Sequence, residues 1–390
     1  MDFAATPINE AAQGLNTKRI SQEEKMRKGS WFLTALLMAA VALAGCKGAP
    51  TATLAPPATT EAPMVKTEEP VATTEAPMVK TEEPAMEPFR VAVVMPSAIN
   101  DLAFSQSIYD ALTAIQNEMG AENFEFAYSD GKFVVDDAAA LVRQYATEGY
   151  DLVIAHGSQY GASLQEIAPD FPETAFAWGT TLDTFEDQGI TNVFAYEARS
   201  EQGGYVNGVI AASLSQTGVI GVIGPIETGD AKLYVDGFKA GVLATNPDAD
   251  VRVVYTGSFS DATAASQAAQ THIDAGADVL TGTAQMVTGA IAVAKEQGVL
   301  WLGTQSSQAS LAPEIVVGTQ VYHWEVVLSQ IIELVKAGTL GGEAFAINLA
   351  NGGETIDFNP GYNFAPDVQT LIEQTIQDII DGSIEIQLPE

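Results

Sequence analysis

Between Phe89 and Leu302 the chain alternates short apolar runs with longer stretches that carry apolar residues at helical spacing. That alternation constrains the fold more than any single motif. Runs of four to seven apolar residues without polar alternation are strands covered on both faces, and amphipathic stretches between them are the crossover helices that do the covering. Strands are expected at Phe89 to Met95, Phe124 to Tyr128, Asp151 to Ala155, Thr174 to Ala177, Asn192 to Ala195, Val219 to Gly224, Val251 to Tyr255, Ala277 to Leu280 and Val299 to Leu302. Helices are expected at Phe104 to Met119, Asp136 to Glu148, Ser200 to Ser215, Asp230 to Ala244, Asp261 to Ala275 and Thr288 to Gln297. The pattern is α/β. Nine or more strands exceed one compact open sheet, so two parallel-sheet lobes are expected, with an eight-stranded barrel as the structural alternative.

The N-terminal region bears on that choice. Met26-Arg27-Lys28 is followed by an apolar run from Trp31 to Leu43, too short for a comfortable bilayer span, which reads as a signal peptide. The run ends in Leu43-Ala44-Gly45-Cys46, similar to the lipobox at which bacterial lipoproteins are cut and lipidated. Cys46 is the only cysteine of the 390 residues, which excludes an intramolecular disulfide. Lipidation of Cys46 is the expectation. Residues 1–25 are polar and precede a better basic start at Met26, so residues 1–45 are set aside as upstream extension plus signal.

Residues 46–88 read as a lipidated cysteine and a tether. From Lys47 to Pro88 there is no aromatic residue and there are eight of the chain's 18 prolines, and the segment Ala58 to Pro70 recurs identically as Ala72 to Pro84. Such a segment buries too little apolar surface to fold, and its prolines forbid a helical repeat. As a coil it spans roughly 35 to 40 Å, and up to about 130 Å when extended. An exported, tethered βα protein with two lobes is the usual form of a solute-capturing protein, which favours the two-lobe reading over the barrel.

Composition removes several functions. With 17 Lys and Arg against 50 Asp and Glu the formal net charge is -33, which excludes nucleic acid as a partner. Residues 1–45 hold five of the basic and four of the acidic residues, leaving 12 against 46, so the acidity belongs to the exported part. His156, His272 and His323 are too far apart for a local metal motif, and no metal is expected. The series Gly218, Gly221, Gly224 lacks the spacing of a dinucleotide loop, and no cofactor is expected. His156-Gly157-Ser158 lacks the glycine of a nucleophile elbow and any paired base and acid, so no enzymatic activity is expected.

In open α/β sheets ligands bind beyond the carboxyl ends of the strands. The loops there hold Asn100 and Asp101 before Phe104, then His156-Gly157-Ser158, Trp178-Gly179-Thr180, Gly257-Ser258-Phe259 and Gly303-Thr304-Gln305. Aromatics and neutral hydrogen-bonders suit a flat polar ring better than a phosphate or a metal. Asp101 beside Asn100 also fits a helix cap, and Trp178 and Trp324 also fit packing between lobes.

Several ordered motifs resemble the basic membrane protein family of ABC-importer substrate-binding lipoproteins, the purine nucleoside receptor type. They are Asn100-Asp101-Leu102-Ala103-Phe104-Ser105-Gln106, the stretch Glu201 to Gly208, Gly237-Phe238-Lys239-Ala240-Gly241, Tyr255 to Asp261, and Gly276 to Leu280. The likeness runs over about residues 89–340. It implies a type I periplasmic-binding-protein fold, two Rossmann-like parallel-sheet lobes joined by a three-strand hinge, and a base stacked between Phe104 and Phe259. The family's acidic residues near Met95 and after the Trp178 strand are absent, its G-x-D-x-D-Q becomes Gly303 to Gln308, and a lysine is missing near Val321-Tyr322. Those residues hold ribose in the family. A purine base or similar heteroaromatic therefore stands beside a purine nucleoside as the expected ligand, with Gln305 replacing a carboxylate and Trp178 or Trp324 adding a wall.

The reading is a lipid-anchored, extracytoplasmic, monomeric solute-binding protein of an ABC importer. Its site is Asn100, Asp101, Phe104, Gly157, Ser158, Trp178, Phe259, Gln305 and Trp324, and its partners are a purine-like small molecule and membrane permease subunits. The N-lobe is expected to hold residues 89–197 and 318–350, the C-lobe residues 198–317 and 351–390. The alternatives are a sensing lipoprotein that docks on a signalling receptor and a lipoprotein nucleosidase. Neighbouring genes for a permease and ATPase would separate import from sensing, and loss of solute on incubation would reveal an enzyme.

Overall fold

The computed structural model describes residues 87–389. The signal peptide, Cys46 and the tether as far as residue 86 lie outside the described residues.

Two open six-stranded sheets form, and the barrel alternative is excluded. In the N-lobe, strands β1 (Phe89–Val94), β2 (Phe124–Ser129), β3 (Leu152–Ala155), β4 (Ala175–Gly179) and β5 (Val193–Ala198) are joined by a late strand, β11 (Ala344–Ile347). All six are parallel, in the order β11-β5-β4-β3-β1-β2. The C-lobe holds β6 (Val219–Gly224), β7 (Asp250–Tyr255), β8 (Val279–Gly282), β9 (Leu300–Gly303), β10 (Val316–Tyr322) and β12 (Glu354–Phe358). Its order is β12-β10-β9-β8-β6-β7, with β12 alone antiparallel.

The absence of polar alternation has its expected cause, since Val91 to Val94 and Leu152 to Ala155 are wholly buried between helices on both faces. Helix α1 (Phe104–Met119) buries Phe104, Ile108, Ala111, Leu112 and Ile115, one stripe at helical spacing, against the N-lobe sheet. Helix α2 (Val135–Thr147) and the short α3 (Gly161–Ile167) cover its opposite face. In the C-lobe, α4 (Glu201–Leu214), α5 (Gly229–Thr245) and the terminal helix α9 (Pro366–Ile380) cover one face, and α6 (Ala262–Asp274) with α7 (Val287–Gln297) cover the other. Helix α8 (Glu325–Lys336) returns to the N-lobe core through Val327, Leu328, Ile331 and Ile332.

The glycines of the C-lobe motifs serve packing. A methyl group at Gly208 would overlap the Phe238 carbonyl, and one at Gly241 would overlap the Tyr205 carbonyl. Helices α4 and α5 therefore approach more closely than any other side chain would allow.

The chain crosses between lobes three times: between β5 and α4, between β10 and α8, and between β11 and β12. The middle crossing follows Tyr322 rather than the expected Val317, because Gly318 to Tyr322 pair with β12 in the C-lobe sheet. One buried carboxyl ties these segments together. Glu354 Oε1 accepts from the Gly203 amide at 2.7 Å and from the Gln320 side-chain amide, which also donates to the Ser200 carbonyl at 3.0 Å. Burial pushes the Glu354 carboxyl up to about 8.

Candidate ligand-binding site

A narrow cavity lies between the lobes, beyond the carboxyl ends of the parallel strands. The N-lobe contributes Pro96 after β1, Phe104 at the start of α1, Phe133 after β2, Gly157, Ser158 and Gln159 after β3, and Thr180 after β4. The C-lobe contributes Asp230 and Ala231 at the start of α5, Phe259 after β7, Ala284 and Gln285 after β8, and Gln305 after β9. Three of these, Thr180 (φ 69°), Ala284 (φ 74°) and Gln305 (φ 71°), hold left-handed backbone, which costs on the order of 1 kcal/mol each for a residue with a Cβ. Such strain persists only where surrounding contacts enforce it.

The N-lobe wall is a rigid aromatic assembly. Phe104 lies flat against His156, with ring centroids 3.9 Å apart and planes 10° from parallel. The His156 tautomer follows from its partners: Nε2–H donates to the Phe104 carbonyl at 3.3 Å, because a carbonyl can only accept, and Nδ1 accepts from the Tyr196 hydroxyl at 2.8 Å. Burial depresses the imidazole to about 3, so the ring is neutral across the physiological range. Trp324 meets His156 and Tyr196 edge-on, at 5.6 Å and 5.3 Å, and donates its indole N–H to Ser107 Oγ at 2.9 Å.

The C-lobe wall is polar. Asp230 is buried, and its Oδ2 accepts from Gln305 Nε2 at 3.4 Å and from the Tyr322 hydroxyl at 3.3 Å. Desolvation outweighs these hydrogen bonds and those from the backbone of Asp230 and Ala231, so the carboxyl rises to about 6. Phe259 follows a left-handed Gly257 (φ 77°), and its carbonyl accepts from the Met286 amide at 3.0 Å. Phe133 stands 6.4 Å from Phe259 at the mouth, from the opposite lobe. Two hydrogen bonds cross between lobes: Gln285 Nε2 donates to Ser97 Oγ at 2.8 Å, and Gln308 Nε2 to the Leu102 carbonyl at 3.3 Å.

Of the residues singled out in the sequence, Phe104, Gly157, Ser158, Phe259 and Gln305 come together around this cavity. Asn100 is exposed on the loop before α1. Asp101 caps α1, accepting from the amides of Ala103, Ser105 and Gln106 at 2.9 to 3.1 Å and from Ser97 Oγ at 2.5 Å. Trp178 stacks on Phe185 at 5.0 Å inside the N-lobe and donates to the Gly157 carbonyl, and Trp324 is wholly buried behind His156. Neither tryptophan lines the cavity. The cavity adds Phe133, Gln159, Asp230 and Gln285. The rule of strand carboxyl ends points to Gln285, three residues beyond β8, whereas Asp230 has the sequence signature of an ordinary helix start.

Two parallel-sheet lobes with a cavity between them, crossed three times by the chain, define a solute-binding protein of the type I periplasmic fold. The chain belongs to the Bmp family of PnrA-like ABC transporter substrate-binding proteins, whose model matches residues 89–388. It is 29% identical over 248 residues to the purine-binding protein BAB2_0673 of Brucella abortus, covering 64% of this chain and 69% of that one. It is 27% identical to the transcriptional activator protein med of Bacillus subtilis, over 75% of this chain and 87% of the relative. A solute-binding protein of an ABC transporter system from Aeropyrum pernix superposes with a TM-score of 0.66 at 19% identity, over 78% of this chain and 94% of its own. Membership of an ABC transporter substrate-binding family implies a small-molecule ligand, permease partners and an extracytoplasmic place. Among the described residues no helix is long and apolar enough to cross a membrane.

Proposed function

We propose that this protein captures a purine base, a purine nucleoside or a similar heteroaromatic solute and delivers it to the permease of an ABC importer, held at the outer face of the membrane by a lipid on Cys46. The supporting observation is the interlobe cavity with Phe104 on one lobe and Phe259 on the other. Aromatic faces from opposite lobes gain contact area with a flat ring only when the lobes are together, which couples binding to closure. Stacking of a base on an aromatic side chain contributes about 1 to 3 kcal/mol. The Brucella relative is named as purine-binding, which agrees with this ligand class. The absent acidic and lysine residues argue against ribose as the main handle.

Calorimetric titration with adenine, adenosine, inosine and D-ribose tests the ligand class. Binding of the purine compounds and not of ribose, weakened at least tenfold by Phe259→Ala, is the expected result. Binding of ribose alone would overturn the reading. The anchor is tested separately, because Cys46→Ser should release the protein from membranes while leaving titrations unchanged.

The similarity to the med transcriptional activator favours one second reading, a ligand sensor built on the same two lobes. Loss of purine uptake on deletion of the gene supports import, and unchanged uptake with altered transcription supports sensing.

A further inference from the structure

The cavity's hydrogen-bonding character is dictated by chemistry on both sides of it. Gln305 turns its Nε2 toward the Asp230 carboxylate, an acceptor, so its Oε1 is the free end, and that oxygen is buried without a partner. Gln285 is fixed by a longer chain. Ser97 Oγ spends its single proton on Asp101 Oδ2 at 2.5 Å, so it can only accept from Ser105 Oγ at 2.6 Å and from Gln285 Nε2 at 2.8 Å. Gln285 Oε1 is thereby the free end of that amide as well, and it too is buried without a partner. Each oxygen forgoes a hydrogen bond at a cost of about 1 to 3 kcal/mol until something donates to it.

The charge points the same way. Asp230 is the only charged side chain lining the cavity among the described residues. Arg199 pairs with Glu197 and Glu201 and Lys232 with Asp236, while Lys132, next to Phe133 at the mouth, lies outside the lining. A desolvated carboxylate and two orphaned amide oxygens place acceptors on the C-lobe side of the cavity, against one unpartnered hydroxyl, Thr180 Oγ1, on the N-lobe side.

We propose that Asp230, with Gln285 and Gln305, determines specificity by accepting hydrogen bonds from the amino and ring N–H groups of a neutral or cationic heteroaromatic ligand, and that the same acceptors exclude anionic ligands. This rests on the heteroaromatic reading above and sharpens it. An amino-substituted purine supplies the missing donors, whereas an anionic ring or a phosphorylated nucleoside brings charge against Asp230 with nothing to offset it.

The test titrates the full-length protein with 2,6-diaminopurine, adenine, hypoxanthine and urate, and adenosine against adenosine monophosphate. The expected order is diaminopurine and adenine above hypoxanthine, with urate and adenosine monophosphate weaker by about 100-fold or more than adenine and adenosine. Asp230→Asn keeps the shape and removes the charge; it should weaken diaminopurine and adenine about 10- to 100-fold and narrow the gap to urate. Urate bound as tightly as adenine by the wild type overturns the proposal, and so does an Asp230→Asn protein with unchanged affinities. In both cases the heteroaromatic reading survives. Absence of binding by every heteroaromatic, with retained binding of a sugar, sinks both. The wild-type series stands whether or not the variant folds.

Discussion

The two walls of the cavity are built on opposite plans. On the N-lobe, Phe104 is 7% exposed and pinned between its helix and a neutral, fully buried histidine. Its hydrogen-bonding neighbours Tyr196 and Ser107 are satisfied within that lobe. On the C-lobe, Phe259 sits on a half-exposed loop, and the groups around it are a desolvated carboxylate and amide oxygens without donors. The N-lobe wall keeps one unpartnered polar atom, Thr180 Oγ1, and the C-lobe wall keeps two amide oxygens beside its carboxylate. Shape selection thus rests mainly with the N-lobe and chemical selection mainly with the C-lobe, so the two are separable by mutation.

The contrast breaks most visibly at the paired phenylalanines. Phe104→Ala removes a core ring as well as a stacking face and should lower stability by about 3 to 5 kcal/mol, together with a loss of binding. Phe259→Ala should lower binding about 10- to 100-fold while costing about 1 kcal/mol or less in stability. Chemical denaturation and titration of both variants check the pair, and equal stability losses would erase the distinction.

Acid and alkali probe different parts of the molecule. His156 is depressed to about 3, so the stability of its neutral form is present above pH 6.5 and is lost as pH falls toward 3. That loss reaches roughly 2 kcal/mol at pH 5. Glu354 at the crossings is raised to about 8, so the stability of its protonated form is present below about pH 4.5 and is lost as pH rises through 8. Tm followed from pH 4 to 9 should fall at both ends. Glu354→Gln should flatten only the alkaline limb, by on the order of 2 kcal/mol between pH 6 and 8.

The smallest effect is expected at Trp178. Trp178→Phe forfeits the hydrogen bond to Gly157 and some packing on Phe185, about 1 to 2 kcal/mol of stability. Purine affinity should stay within about twofold, and a larger change would move this tryptophan from the lobe interior to the site.

Local pattern carried the nine earlier strands and most helices, with α1 at its expected bounds, because strand burial on both faces and helical periodicity are written in single segments. The last three strands were not legible. β10 interrupts its valines with Gly318, Thr319 and Gln320, and β12 begins with a buried glutamate whose partners, Gly203 and Gln320, are distant in sequence. The site divides similarly. Phe104 and Phe259 stand in ordered motifs, but Trp178, within the last residues of β4, and Trp324, two residues after β10, turn inward. The forced orientation of Gln285 depends on Ser97, 188 residues away, and no local rule anticipates it.

The two hydrogen bonds between lobes, Gln285 to Ser97 and Gln308 to the Leu102 carbonyl, also set a timescale. Neutral and few, they contribute together about 1 to 3 kcal/mol, a weak latch for lobes joined at three crossings. Residence time is then governed by how many of the orphaned oxygens a solute satisfies, and a poor donor leaves quickly even when it fits. Selectivity in this protein should consequently appear in dissociation rates before it appears in association rates.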